Sequence, residues 1–184
     1  MKKIILVAFF SVLITGCSSI LPGNFVNSYL VNMIPVNKNI CIKSTTTPSV
    51  LNANEILKNE LISQGFPVSC NSSYILASWS HKVSNPQTEV MSTPSVGSTH
   101  DGTYIPGNTI SSVSYDREFL LNLYDGPILS GNSNLLWSIQ LTSRGSTSQI
   151  GELMKIWAPI VASNWGQNVS NDFVPNSGVS MILD

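Results

Sequence analysis

The 184-residue chain is poor in charge. Only 10% of its residues are Asp, Glu, Lys or Arg, and nine basic residues stand against ten acidic ones. The sequence therefore has no basic patch of the kind that binds nucleic acid. So few charges also produce a weak long-range electric field, so electrostatic steering of a charged partner is not expected.

The common signatures of catalytic and metal sites are also missing from the sequence. Its two histidines, His81 and His100, have neither the spacing of a zinc site nor an HExxH motif. No G-x-S-x-G elbow and no phosphate-binding glycine loop occurs. We predict no metal, no cofactor and no enzymatic activity. A hydrolase, in which His81 or His100 would converge with carboxylates or a serine, is the least favoured alternative.

The main apolar run is too short to cross a bilayer as a permanent helix. It follows Lys2 and Lys3, extends from Ile4 to Ile14, and ends in Thr15-Gly16-Cys17. This arrangement predicts an export signal. The residues from Ile14 to Cys17 resemble the lipobox of bacterial lipoproteins, which implies acylation of Cys17 and removal of residues 1–16. The alternative is an ordinary signal peptide with a chance cysteine.

The lipobox resemblance determines the expected location. Two or three acyl chains hold a protein to a bilayer essentially permanently. Ser18 follows Cys17 where an Asp would direct retention in the inner membrane, so the resemblance favours the outer membrane. We predict a lipid-anchored protein on the periplasmic face of the outer membrane.

Lipidation of Cys17 leaves two further cysteines, Cys41 and Cys70. In an oxidising compartment a pair of cysteines more often forms a disulfide than a metal or catalytic site. We therefore predict a Cys41–Cys70 disulfide, with two buried free thiols as the alternative.

The mature chain divides into a tether and one domain. Residues 17–37 contain Pro22, Gly23 and Pro35 without sustained periodicity, which predicts a lipidated tether. Residues 38–184 have the length of a single domain.

Periodicity within the domain predicts an α+β fold. Alternating or apolar runs predict strands over residues 38–43, 73–80, 115–124 and 137–142, and helical spacing predicts helices over about 53–64 and from Ile150 to Trp165. We expect a mostly antiparallel sheet of about four strands with two helices packed on one face.

Residues 84–112 interrupt this pattern with scattered proline and glycine. They predict a long loop or a loosely paired hairpin extension, and loops of this length in compact domains are functional or disordered. His100, Asp101 and Tyr104 are the candidate interaction residues of this segment.

The order of these elements resembles a family of bacterial lipoproteins defined by a domain of unknown function, DUF4136. The resemblance covers roughly residues 38–166, and Ser72-Ser73 departs from it where the family has an Ala-Asp pair. The matching residues are Glu60-Leu61 to Gly65-Phe66, Tyr74 to Ala77, Phe119 to Asp125, Leu136 to Ser138, and the helix from Ile150. The resemblance implies an envelope role and carries no functional residues with it.

Together these features predict a non-enzymatic envelope lipoprotein. It would act as a structural or interaction component of a periplasmic or outer-membrane assembly, such as one for transport or secretion, and would contact an envelope protein partner. The alternative is a periplasmic module that binds a lipid or a cell-wall fragment. The sequence leaves the identity of the partner and the oligomeric state open.

Overall fold

The structure, a computed structural model, describes residues 23–45, 51–71, 73–92, 96–97, 104–105, 107–127 and 134–175. Within these ranges the chain forms nine strands and two helices. In chain order they are β1 (Gly23–Leu30), β2 (Asn39–Ser44), α1 (Leu51–Ser63), β3 (Tyr74–Val83), β4 (Gln87–Ser92), β5 (Val96–Gly97), β6 (Tyr104–Ile105), β7 (Thr109–Asp125), β8 (Leu135–Gly145), α2 (Ile150–Ser163) and β9 (Val169–Pro175).

Seven of these strands form one mixed sheet, so the prediction of a mostly antiparallel sheet of about four strands is wrong. The strand order is β2-β3-β7-β8-β1-β9, and β4 pairs with the part of β7 that extends beyond β3. Strands β2 and β3 run parallel, whereas the other pairs of this sheet are antiparallel. The parallel pair arises because α1 connects the two strands and carries the chain back before β3 begins.

Strand β1 is the main element that the sequence analysis missed. It lies in the range predicted as a tether, yet it pairs with β8 on one side and β9 on the other. Its polarity is inverted, because Asn24 and Ser28 are buried beside Val26 while Phe25 and Tyr29 are exposed. The usual signal of a half-buried strand, apolar side chains at every second position facing the core, is therefore absent.

The buried polar side chains of β1 are hydrogen-bonded to α2 and to the chain that follows it. Trp157 Nε1 donates to Asn24 Oδ1 at 3.0 Å. Ser28 Oγ donates to the carbonyl oxygen of Gln167 at 2.7 Å. Because a buried polar group is costly when unpaired, these bonds let polar residues occupy the core face and link β1 to α2.

Two more strands come from segments without a clear strand pattern. In β4, Gln87 to Ser92 pair with Ser114 to Thr109, so the segment 84–112 begins as a hairpin extension. In β9, which follows α2, Phe173 pairs with Phe25 of β1.

The two helices contact each other and bury their apolar residues in one core with the sheet. Helix α1 ends where the sequence predicted, since Gly65 adopts a φ of 86° and Phe66 N donates to the carbonyl oxygen of Leu61. Three tryptophans belong to this core and are fully buried; they are Trp79, Trp137 and Trp157.

A disulfide joins Cys41 of β2 to Cys70, with the two Cα atoms 4.5 Å apart. The segment before Cys70 runs along the free edge of β2, because Ile40 N donates to Pro67 O and Ser69 N donates to Ile40 O. The disulfide thus holds a covering segment against an edge that would otherwise expose unpaired backbone groups.

The Asn24–Trp157 hydrogen bond can be tested by a double-mutant cycle. Asn24→Ala should lower the free energy of unfolding by about 1–3 kcal/mol, because it leaves the buried indole N–H without this acceptor. The loss should be about 1 kcal/mol smaller in a Trp157→Phe background, which has no N–H to satisfy. Urea unfolding followed by circular dichroism measures both values, and equal losses in the two backgrounds would contradict the bond.

Candidate functional site

The best candidate for a binding site is an apolar cleft of about 550 Å³ at one end of the sheet. It lies beneath the segment that connects β1 to β2 and beside the C-terminal ends of both helices. We call it the apolar cleft. Its lining residues are Leu30 to Val36, Lys38, Ile40, Phe66, Pro67, Ile75, Trp165 and Gly166.

Aromatic contacts and a hydrogen bond from an indole side chain to the backbone hold the walls of the apolar cleft. The ring of Trp165 lies 5.0 Å from that of Phe66 and 5.4 Å from that of Trp137. Trp137 Nε1 donates to Gln167 O at 2.9 Å, which holds the chain after α2 against β8. The apolar cleft is therefore largely pre-formed in the folded protein.

The rim of the apolar cleft carries unusually exposed apolar side chains. Val31 is half exposed, while Met33 and Val36 are 87% and 92% exposed. Among the lining residues only Lys38 is charged, and it forms an ion pair with Asp125. Neighbouring exposed apolar side chains of this kind are typical of surfaces that bind a partner or a ligand.

A second, larger cleft of about 920 Å³ lies at the opposite end of the sheet. Its polar wall centres on Arg144, which donates to Glu89 at 2.7 Å, to Gln87 at 2.8 Å and to Ser114 at 3.1 Å. These groups are exposed and mutually paired, so each contact contributes little free energy. Their effect is to link β8 to β4.

Aromatic side chains form the other wall of this larger cleft. The rings of Phe25 and Phe173 lie 5.3 Å apart across the β1–β9 pair. Gly23 leaves room for this arrangement, because a Cβ atom there would stand 2.3 Å from Cζ of Phe173.

Arg117 is the buried cation of this end of the sheet. It is only 5% exposed, and its Nε has no hydrogen-bond partner among the described residues. Among the described residues no carboxylate lies within ion-pair distance of it. The guanidinium occupies the space above Gly145, where a Cβ atom would come within 2.7 Å of Nη2. Burial lowers the pKa of Arg117 below its usual value.

The structure places the sequence-predicted site residues as follows. Cys41 and Cys70 are bonded to each other. Cys17, His100 and Asp101 lie outside the described residues, and Tyr104 belongs to the short strand β6, which pairs with β5. The prediction that His100, Asp101 and Tyr104 form an interaction site therefore stays a prediction.

His81 lies at the end of β3, with its ring 6.0 Å from that of Trp79. It is half-buried, and burial lowers the pKa of its imidazole. Across the described ranges no group of three or more His, Cys, Asp and Glu residues could hold a metal ion. No helix in the described part of the chain is long and apolar enough to cross a membrane.

Part of the apolar cleft had a signal in the sequence. Residues 29–34 are more apolar than a tether requires, and Trp165 is an aromatic residue at the end of the predicted second helix. Arg117 had a weaker signal, which was its position in register with Phe119 and Leu121 on the apolar face of β7. The meeting of these residues in space depends on tertiary packing.

Comparison with known proteins assigns no family. No family model matches the chain, and no curated protein matches it. Membership of the lipoprotein family that the sequence resembles therefore stays a prediction.

Solved structures give a distant resemblance only. A PDZ domain protein from Parabacteroides distasonis matches with a TM-score of 0.48 and 14% identity over 84% of this chain. The chain spans 39% of the length of that protein. The PelC dodecamer from Paraburkholderia phytofirmans matches in two crystal forms. One has a TM-score of 0.41 and 13% identity, and the match covers 79% of this chain and 99% of PelC. The other has a TM-score of 0.40 and 12% identity, and the match covers 76% of this chain and 95% of PelC. These values are too low to carry a function or an oligomeric state to this chain.

The lowered pKa of His81 predicts a pH-dependent stability. Since the folded-state pKa lies below the unfolded value of about 6.5, protonation favours the unfolded chain, and stability should fall as the pH drops below 6.5. The decrease should be smaller in a His81→Gln variant, whose side chain does not titrate. Urea unfolding at pH 7.5 and pH 5 measures it, and an unchanged pH dependence in the variant would contradict the prediction.

Most substitutions of core residues lower the free energy of unfolding, whereas replacing Arg117 should raise it. Arg117→Met keeps the aliphatic stem and removes a buried charge that no described carboxylate pairs with, so it should raise the free energy of unfolding by about 1–2 kcal/mol. Arg144→Met is the matched control. It removes an exposed, paired guanidinium and should lower stability by at most about 1 kcal/mol. Destabilisation by Arg117→Met would show that the guanidinium has a stabilising partner in solution.

Proposed function

We propose that this protein is a lipid-anchored envelope lipoprotein that works without catalysis, by binding a protein partner at the apolar cleft. The observation that carries the proposal is the location of the cleft at the Leu30 end of β1, whereas the chain from Cys17 enters at the Gly23 end. The eight residues of β1 separate these ends by about 23 Å. An anchor at Cys17 would hold one end near the membrane and leave the cleft open to the periplasm.

The extent of the apolar surface favours a protein partner. It continues from the cleft over its rim to Val31, Met33 and Val36, which all project into water. A single acyl chain could fill the cleft but would leave this rim exposed. A partner with an apolar surface of its own would cover the cleft and rim together, as in the core of a protein interface.

The disulfide supports the proposed compartment. A structural bond between Cys41 and Cys70 suits an oxidising space such as the periplasm and would be unusual in a reducing cytosol. Attachment to the outer membrane rests on the lipobox and on Ser18, as argued from the sequence.

A second candidate function is the binding of a lipid or a cell-wall fragment in the same cleft. The volume of about 550 Å³ and the aromatic wall formed by Phe66 and Trp165 suit a small apolar ligand. Such a ligand would not lie between sheet and helices, because core residues there, such as Leu57, Leu153 and Val161, are fully buried.

Photo-crosslinking in intact cells tests the proposed function. A photoreactive residue at position 33 should capture a discrete protein partner, and the same residue at Ile62, exposed on α1 outside the cleft, should not. Val36→Asp should weaken the capture, because it places a charge on the apolar rim. A lipid adduct at position 33 would instead favour the second candidate, and no specific adduct would contradict both.

The anchor is tested separately in the same cells. Mass spectrometry should find acyl chains on Cys17 at the processed N-terminus, and Cys17→Ser should abolish them. An unacylated N-terminus in the unaltered protein would contradict the anchored function.

A further inference from the structure

Strand β4 and the first residues of β7 form a two-stranded arm that extends beyond the rest of the sheet. We define the arm as residues 87–92 and 109–114. Strand β8 stops at Gly145, which pairs with Tyr115, so the arm strands pair only with each other within the described sheet. Six residue steps separate Tyr115 from Thr109, which makes the arm about 20 Å long.

The arm exposes apolar side chains on both of its faces. Met91 pairs directly with Ile110 on one face, while Val90 and Val113 lie diagonally opposite on the other. All four are exposed, and Met91 is 73% exposed. A hairpin of two strands is at best marginally stable alone in water, so a surface that covers these side chains would stabilise the arm.

The arm has almost no charge to oppose contact with an apolar medium. Between Glu89 and Asp116 the sequence contains a single charged residue, Asp101. At the base of the arm, Arg144 forms ion pairs with Glu89 and with Asp116.

The arm extends from the end of the sheet at which the chain from Cys17 enters β1. Asn24 at the start of β1 pairs with Ser143, and Ser143 pairs with Arg117, from which β7 continues into the arm. Six residue steps connect Gly23 to Cys17, which span about 20 Å at most. The chain from Cys17 to Gly23 is therefore no longer than the arm.

From this geometry we infer that the arm contacts the lipid surface to which Cys17 is anchored, with Met91 and Ile110 at the boundary between headgroups and acyl chains. The inference rests on the anchor in the proposed function. With a tether of this length, the arm reaches the bilayer whenever the strands point toward it. Val90, Met91 and Ile110 lie farther along the arm than Glu89, so lipid contact removes these three apolar side chains from water without burying a charge of the described arm.

Spin labels on the full-length acylated protein in vesicles of phosphatidylethanolamine and phosphatidylglycerol test the inference. Met91→Cys places a label on the arm, and Met33→Cys places the control label at the opposite end, on a methionine that is 87% exposed against 73% for Met91. The native cysteines do not react, because Cys17 is acylated and Cys41 is bonded to Cys70. Power saturation then compares access of the label to oxygen, which concentrates in lipid, and to a water-soluble nickel complex.

The expected result is an oxygen-to-nickel accessibility ratio several-fold higher at position 91 than at position 33. Equal, water-like ratios in protein shown by mass spectrometry to be acylated would overturn the arm contact and leave the anchor intact. Dipolar broadening between labels at position 91 of neighbouring copies, with low oxygen access, would overturn it in favour of a second copy as occupant. A bare N-terminus would overturn the proposed function and the arm contact together.

Discussion

The pairing of β1 between β8 and β9 is the constraint on which the other features of the molecule depend. Without it, β8 would be an open edge and β9 would have no partner in the sheet. Trp157 would lose its Asn24 acceptor, and Ser28 would no longer bond to the chain after α2. These polar contacts lie inside an apolar core, where a missing partner is more costly than at the surface.

The position of β1 also separates the molecule into two ends with different chemistry. At the Leu30 end, the connection to β2 crosses above Phe66 and Trp165 and forms the apolar cleft. At the Gly23 end, the sheet narrows to the arm formed by β4 and β7. Both ends expose apolar side chains, whereas the core between them is filled. Our proposals that the molecule binds a partner at one end and lipid at the other rest on this distribution.

The sequence predicted the elements whose polarity matches their burial. In β7 and β8, apolar residues at alternate positions face the core, and both helices carry an apolar stripe, with Gly65 ending the first. Strand β1 escaped prediction because Asn24 and Ser28 occupy its inner positions and are satisfied by residues far along the chain. Strand β4 escaped because both of its faces are exposed, so burial leaves no period of two in its sequence. Arg117 is a local exception on an apolar face, and spacing alone predicts neither its burial nor its lack of a carboxylate partner among the described residues.

Hydrogen–deuterium exchange of the backbone of residues 24–30 tests the central claim most directly. The account predicts that these amides are protected to a degree comparable with β8, because most of them belong to ladders on both sides of a central strand. Exchange at the rate of a free peptide would contradict it, since residues 24–30 would then belong to a flexible tether and the two ends of the sheet would not be related as described.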